Sequence, residues 1–425
     1  MLYILIIGVI LLLALGLPIF VALGLPPVLI VALEKIPLTI IVQRIFGGLD
    51  RFALMAMPFF IFAANIMSIG GMSHRIVRLS EAIVGRFYGG VALTTTLACM
   101  FFGALSGSSP ATVVAIGKIA KPLLDQNKYE SRFSLGLIMA SSSLAILIPP
   151  SITMIIYAVV TRVSVGQLFL AGVGPGVLMG VLYMIYSYIY AKKHQRRSDV
   201  IADMTSVRSA FKSASWALGV PVIILGGIYG GVFTPTEAAT VSATYALIVG
   251  FIIYRELTWK TIINISRDSA VVTAQIMILV ATASVFSWAL TIQDVQSVIH
   301  SVLGWAMGVP WIILIIMNLT MIIAGMFVDP AAIILILGPL FVPIVVELGI
   351  SPVHMGVIMV ANSAIGMYSP PFGLNLFIAK GVFRSSFSEL VSASIPFVLI
   401  SIIGLLIITF IPQISLWLPA MAYGR

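Results

Sequence analysis

Five residues interrupt an apolar run that begins at Gly103 and reads GALSGSSPATVVAIGK; they are Ser106, Gly107, Ser108, Ser109 and Pro110. A helix is expected to end and restart where glycine and proline cluster in this way. Because lipid cannot satisfy free backbone N–H and C=O groups, irregular backbone at membrane depth occurs only where it is buried in protein or lines a cavity. Hydroxyl and carbonyl oxygens gathered there predict a site for a small cation.

Three other stretches share this character: ASSSLAILIPPS at 140–151, FVDPAA at 327–332 and ANSAIGMYSPPFG at 361–373. A serine-rich or carboxylate-bearing tip beside an unwound helix offers several oxygens around a small void. The C-terminal ends of half-helices add partial negative charge. Sodium is the ion we expect in such sites. The alternative for any single serine is a bond to its own helix or packing between helices.

Asp329 is the most informative single residue, because a carboxylate between long apolar runs is costly and usually functional. It could bind sodium, carry a proton or pair with a nearby cation. The alternative is a helix N-cap for the arm that starts at Pro330, and capping is compatible with ion binding. Glu237 is expected to be structural, in the first turn of a helix that Thr234 or Thr236 caps.

Four asparagines lie in apolar segments and could orient a substrate or bond between helices: Asn65, Asn318, Asn362 and Asn375. The four histidines share no metal-ligand spacing. No nucleophile–base pair or pair of catalytic carboxylates can be assembled from the sequence, and no cofactor motif is present. The pattern therefore argues against an enzyme.

The composition is that of an integral membrane protein. Of 425 residues, 60% are hydrophobic and 9% charged, and the mean hydropathy is +1.16, whereas soluble domains carry about 25% charged residues. The net charge of +9 lies in short loops and acts as a topology signal. A single cysteine, Cys99, excludes disulfides within the chain. The N-terminal stretch 1–33 is expected to be retained in the membrane, as one span or as two broken at Pro18.

An internal repeat appears when the sequence is aligned with itself so that Ala111 pairs with Ala332. The segment 111–178 then lies on 332–399, and all four of its prolines fall on prolines. Twelve of 68 pairs are identical, which is modest for so apolar a composition, so the proline register carries the argument.

The charges indicate that the two repeats have opposite orientations. The basic loop at 191–213 is expected to be cytoplasmic. Counting spans from it makes 89–124 a hairpin that enters from the cytoplasm and makes 310–348 a hairpin that enters from outside. Inverted repeats with interrupted helices are typical of secondary transporters. The fold class predicted is all-α, with a re-entrant helical hairpin and a broken transmembrane helix in each repeat.

This interpretation divides the chain into six segments. They are 1–88, scaffold helices with an interfacial arm helix near 34–51; 89–165, hairpin 1 and its broken helix; 166–268, scaffold helices, the cytoplasmic loop 191–213 and a second arm helix at 255–267; 269–309, connecting helices; 310–385, hairpin 2 and its broken helix; and 386–425, a C-terminal transmembrane helix.

Five stretches together resemble the large membrane subunit of tripartite ATP-independent periplasmic (TRAP) transporters, over essentially the whole chain. They are GALSGSSPATVVAIGKI, SSSLAILIPPSITMIIYAVV, FTPTEAATVSATYAL, MFVDPAAIILILGPLFVP and NSAIGMYSPPFGLNLF. The resemblance implies sodium-driven uptake of an organic acid, such as a C4-dicarboxylate or sialic acid, through a bacterial inner membrane. It also implies a small membrane subunit, a periplasmic substrate-binding protein, an elevator motion and no cofactor beyond the coupling ion Na⁺.

Carried over to this chain, the resemblance gives two sodium sites and one substrate site. The first sodium would lie at Ser106, Gly107, Ser108, Ser109, Ser142 and Ala145, and the second at Val328, Asp329, Gly366 and Ser369. The substrate would lie between the hairpin tips, near Ser108, Pro110, Ser143, Asp329, Asn362 and Pro371. A stand-alone sodium–carboxylate symporter of the same architecture is the nearest alternative, and a channel or an intramembrane hydrolase is more distant.

Overall fold

The computed structural model describes residues 2–69, 71–195, 204–306 and 308–424, and every regular element among them is helical. Seven of the described helices are long and apolar enough to cross a membrane. They are Phe52–Ile69, Val165–Lys193, Val207–Tyr229, Pro235–Ile253, Trp259–Ile292, Pro330–Glu347 and Phe387–Phe410. Shorter apolar helices complete the fold, as expected for a chain whose spans are interrupted by proline and glycine.

The helices of the first half are α1 Leu2–Ala14, α2 Ile19–Leu33, α3 Thr39–Leu49, α4 Ala56–Ile69, α5 Met72–Val84, α6 Gly90–Ser106, α7 Ser109–Gln126, α8 Ser131–Ser143, α9 Ile152–Thr161 and α10 Val165–Lys193. Short 3-10 turns precede α4 at Phe52–Met55 and follow α8 at Leu144–Ile146. Helices α6 and α7 form hairpin 1, and α8 and α9 are the halves of the first broken helix.

The helices of the second half are α11 Met204–Pro221, α12 Gly227–Tyr229, α13 Pro235–Ile248, α14 Trp259–Ile292, α15 Val295–Leu303, α16 Pro310–Gly325, α17 Pro330–Glu347, α18 Pro352–Gly366, α19 Leu374–Phe383, α20 Phe387–Phe410 and α21 Gln413–Tyr423. Helices α16 and α17 form hairpin 2, and α18 and α19 are the second broken helix. In the alignment that pairs Ala111 with Ala332, the first and last residues of α7 coincide with the first and last residues of α17. This agreement confirms the repeat.

The hairpins and broken helices of the two repeats interlock. Within each repeat the two hairpin arms pack together, α6 on α7 and α16 on α17. Between repeats, α7 packs against α19 and α17 packs against α9. Each returning arm therefore lies beside the second half of the other repeat's broken helix, and the four elements form one packed unit.

Two predicted segments differ from the structure. The second arm helix at 255–267 is wrong as a separate element, because Trp259–Ile292 is one helix that also crosses the predicted boundary at 268/269. No glycine or proline interrupts this helix, whereas α3 in the first repeat ends directly after the pair Gly47 and Gly48. The final segment holds a second helix, α21, which packs against α10.

The loop predicted at 191–213 is also too wide. Helix α10 continues to Lys193 and α11 begins at Met204, and residues 196–203, which include Arg196 and Arg197, lie outside the described residues. At the other end of the chain, the stretch predicted as one span or two forms two helices that separate at Gly16, where φ is +76°, and at Pro18. A left-handed glycine followed by proline ends a helix.

Candidate functional site

Tip 1, defined as residues 107–108, joins the two arms of hairpin 1. Gly107 has φ +57°, a conformation that favours glycine, and ends α6. The Ser108 hydroxyl accepts a hydrogen bond from the Ala111 N–H at 3.4 Å and caps α7, with Pro110 in the first turn. The sequence predicted a start of the returning arm at Pro110, and the helix begins one residue earlier, at Ser109.

Two hydroxyls that flank tip 1, on Ser106 and Thr112, are bonded to each other and to the tip backbone. Ser106 Oγ and Thr112 Oγ1 lie 3.3 Å apart, and Thr112 donates to the Ser108 carbonyl at 2.9 Å. Ser106 also donates to that carbonyl at 3.4 Å. These contacts hold three side-chain or backbone oxygens close together within a short stretch of chain.

Tip 1 touches break 1, defined as residues 144–151. A methyl group on Gly107 would lie 2.4 Å from the Pro150 carbonyl oxygen, and one on Gly103 would lie 2.7 Å from Cα of Ala145. The two backbones therefore meet without side chains between them. Ser142, another candidate for the first sodium site, lies against Cys99 of α6, with Oγ and Sγ 3.7 Å apart.

Tip 2, defined as residues 326–329, joins the arms of hairpin 2 and carries the carboxylate. Asp329 Oδ1 accepts hydrogen bonds from the N–H groups of Ala331 at 2.9 Å and Ala332 at 3.2 Å. The carboxylate thus caps α17, and the alternative drawn from the sequence is confirmed. Both bonds go to Oδ1, and capping remains compatible with ion binding.

Tip 2 lies against break 2, defined as residues 367–373, and the helix ends that precede the two segments also meet. A methyl group on Gly366 would lie 2.6 Å from Cα of Gly325. The rings of Phe327 and Phe372 lie 5.6 Å apart, and both are more than half exposed. Ser369 Oγ donates to the Ile365 carbonyl at 2.7 Å.

Among the hydrogen bonds that connect the two repeats, one pair lies directly beside tip 1. Asn375, which follows break 2, donates to Ser109 Oγ at 2.8 Å and to the Met139 carbonyl at 3.2 Å. Ser109 directly follows tip 1, so its hydroxyl faces the second repeat. Break 1, tip 1, break 2 and tip 2 therefore form a continuous chain of contacts.

The family described as "Tripartite ATP-independent periplasmic transporter, DctM component" matches residues 6–414. The C4-dicarboxylate TRAP transporter large permease protein DctM of Pseudomonas aeruginosa is 41% identical over 88% of this chain and 88% of its own. The isethionate TRAP transporter permease protein DctMQ of Oleidesulfovibrio alaskensis is 39% identical over 91% of this chain and 61% of its own. This chain belongs to the DctM family.

The structure of the Alcanivorax borkumensis YdaH transporter shares the fold of this DctM-family chain. Its TM-score is 0.60 at 16% identity, and the match covers 91% of this chain and 88% of that one. At this identity the likeness concerns the fold alone. Family membership makes this chain the multi-pass membrane component of a transporter and not an enzyme.

The predicted substrate contacts of this DctM component fall into two groups. Ser108, Pro110 and Asp329 are half-buried and Pro371 is exposed, so a ligand could reach them. Ser143 and Asn362 are buried, and their side chains bond to protein. Asn362 donates to Asn318 at 2.7 Å, and Asn318 in turn donates to Thr409 at 3.0 Å. Asn362 and Asn318 therefore form hydrogen bonds between helices, which was the alternative to a role in orienting substrate.

Sequence reasoning missed two kinds of site residue. Thr112 lies one helical turn after Ser108, so helical spacing alone places it at tip 1. Gly103 and Gly325 were missed because a glycine in sequence does not reveal which backbone it approaches. In the register of the repeat these two glycines match to within one position, at the same depth of each hairpin.

Proposed function

We propose that this chain drives uptake of an organic acid across the bacterial inner membrane with a sodium gradient. A periplasmic binding protein would deliver the substrate, and a small membrane subunit would complete the complex. The family match carries this proposal, since its description names a tripartite periplasmic transporter. The relatives named for C4-dicarboxylate and for isethionate both act on organic anions, which supports an anionic substrate here.

Two observations support sodium as the coupling ion. Gly107 of tip 1 lies against the Pro150 carbonyl of break 1, and Gly325, which precedes tip 2, lies against Gly366, which precedes break 2. Unwound carbonyls and half-helix C-termini are the groups that coordinate Na⁺ in secondary transporters. The first ion would use oxygens of Ser106, Ser108 and the break near Ala145, and the second would use Asp329, Gly366 and Ser369.

The position proposed for the substrate is between the tips. Helices α7, α9, α17 and α19 all begin at this belt of tips and breaks, at residues 109, 152, 330 and 374. Helix N-termini present unpaired N–H groups and partial positive charge, which favour an anion. Ser108, Pro110, Asp329 and Pro371 are the accessible contacts, whereas Ser143 and Asn362 would support the helices behind them.

An elevator movement fits the packing of the chain. The hairpins and broken helices interlock across the repeats through α7 with α19 and α17 with α9. Such a unit can slide as one body against a scaffold that includes α2, α3, α4, α13 and α14, which pack among themselves. The substrate and both ions would then move with the unit.

Reconstituted vesicles test the proposal. The large and small membrane subunits, an inward sodium gradient and the loaded binding protein are expected to give saturable accumulation that potassium does not support. Accumulation by the large subunit alone, without a binding protein, would instead establish a stand-alone symporter. Current without saturation would establish a channel.

A further inference from the structure

A cavity of 740 Å³ lies apart from the tips, between the scaffold and the interlocked unit. Its scaffold wall comes from α3 and from the second half of α14. The opposite wall comes from the end of α9 and from Leu335 of α17. Arg162 in this wall follows α9, whereas break 1 precedes that helix, so the two sites are separated by about 15 Å along it.

The charge of this cavity is one-sided. Three arginines line it, Arg44 and Arg51 from the scaffold and Arg162 from the interlocked unit, and its described lining contains no aspartate or glutamate. No ion pair to any of the three is formed within the described residues. All three are exposed, and Arg44 lies over the Trp288 ring at 5.5 Å. Like charges held together without a counter-charge favour an anion.

Position and size both fit a small substrate. The charge pattern that makes 191–213 cytoplasmic puts α3 and Arg162 at the periplasmic side, where substrate would be released to this chain. The volume lies in the usual range of small-molecule pockets, about 300–1,000 Å³. Guanidinium groups bind carboxylates with two parallel hydrogen bonds, and arginines on two walls could hold both ends of a dicarboxylate.

We infer that this arginine cavity is a binding site for organic carboxylates at the periplasmic entrance, distinct from the site between the tips. The identification of the ligand as the transported acid rests on the proposed function. The anion bridges the scaffold and the interlocked unit, so it occupies the cavity before the unit moves and leaves as Arg162 moves away from Arg44 and Arg51.

Thiol labelling tests the cavity directly, in the complex of large and small subunits in phosphatidylcholine nanodiscs. The buried native thiol is removed by Cys99→Ala. Gly47→Cys places a thiol in the cavity lining, where a side chain meets no atom within 4 Å. Phe46→Cys is the matched control, one residue earlier on α3, 67% exposed and outside the lining. Anionic and cationic methanethiosulfonates of equal size are the probes.

The expected result is a preference for the anionic reagent at Gly47→Cys, about tenfold or more relative to the control. Succinate at ten times its dissociation constant should slow labelling there about tenfold and leave Phe46→Cys unchanged. Adding Arg44→Gln and Arg51→Gln should abolish both effects. The inference would be overturned if the two reagents label Gly47→Cys at equal rates, each normalised to its rate at Phe46→Cys. Protection by added phosphatidylglycerol without protection by succinate would also overturn it. Labelling needs neither sodium nor binding protein, so failed uptake leaves this result intact.

Discussion

Gly107→Ala tests whether the contact of tip 1 with break 1 builds the first sodium site. The substitution has two separable costs. The φ of +57° penalises any side chain by about 1–2 kcal/mol. The new methyl group would also lie 2.4 Å from the Pro150 carbonyl oxygen, and normal contact needs about 3.3 Å, so tip and break must separate by about 1 Å.

A separation of that size would remove at least one carbonyl or hydroxyl ligand from the proposed ion. Interactions with a charged group contribute about 1.5–3 kcal/mol each, which corresponds to a roughly 10- to 150-fold rise in the sodium concentration for half-maximal uptake. Gly349→Ala is the matched control, because Gly349 has φ +73° and its methyl group would meet nothing within 4 Å. It should lower the thermal unfolding midpoint similarly and leave the sodium dependence unchanged.

The assay measures initial uptake into vesicles at varied sodium, together with the unfolding temperature of the purified complex. The reasoning is refuted if Gly107→Ala assembles and keeps the parental half-saturating sodium concentration. It is also refuted if Gly349→Ala raises that concentration equally, since backbone strain would then account for both effects.

Three further predictions concern the belt of tips and breaks. Asp329→Asn and Ser108→Ala should each abolish sodium-driven uptake while the complex still assembles on size-exclusion chromatography; sodium dependence that persists in both would contradict the sites. Thr112→Val removes the bond to the Ser108 carbonyl and should raise half-saturating sodium several-fold, whereas Thr94→Val should not, because the buried Thr94 hydroxyl has no partner among the described residues. Asn375→Ala cuts the bonds to Ser109 and Met139, and should destabilise the complex by about 1–3 kcal/mol in denaturant unfolding; an unchanged midpoint would show that the repeats are held together elsewhere.

The hairpins were predictable because proline and glycine act locally. Pro110 and Pro330 lie in the first turns of the returning arms, and the spacing of four prolines indicates the repeat, with no need for tertiary information. The N-cap of Asp329 was foreseeable for the same reason. Thr234 and Glu237 likewise form the capping box that their spacing along the chain indicates.

Other features could not be predicted, because they depend on residues distant in sequence. Ser109 and Asn375 are 266 positions apart, and nothing in either local sequence specifies the other. The serine cluster at 106–109 gave no indication that the Ser109 hydroxyl is bonded to Asn375 of the second repeat. The arginine cavity draws Arg44 and Arg162 from opposite walls, and only the packed fold shows that they share one space.

The two tips differ in charge and not in structural role. Ser108 and Asp329 occupy equivalent positions in the two repeats, and each caps its returning arm by accepting from the N–H of the third residue onward, Ala111 and Ala332. Serine, asparagine and aspartate cap helices about equally well, so the fold does not require a charge at position 329. A carboxylate flanked by arms of 16 and 18 residues nevertheless costs free energy to bury. The sodium ion proposed at tip 2 would offset that cost, so Asp329→Asn is expected to keep the cap and lose the ion.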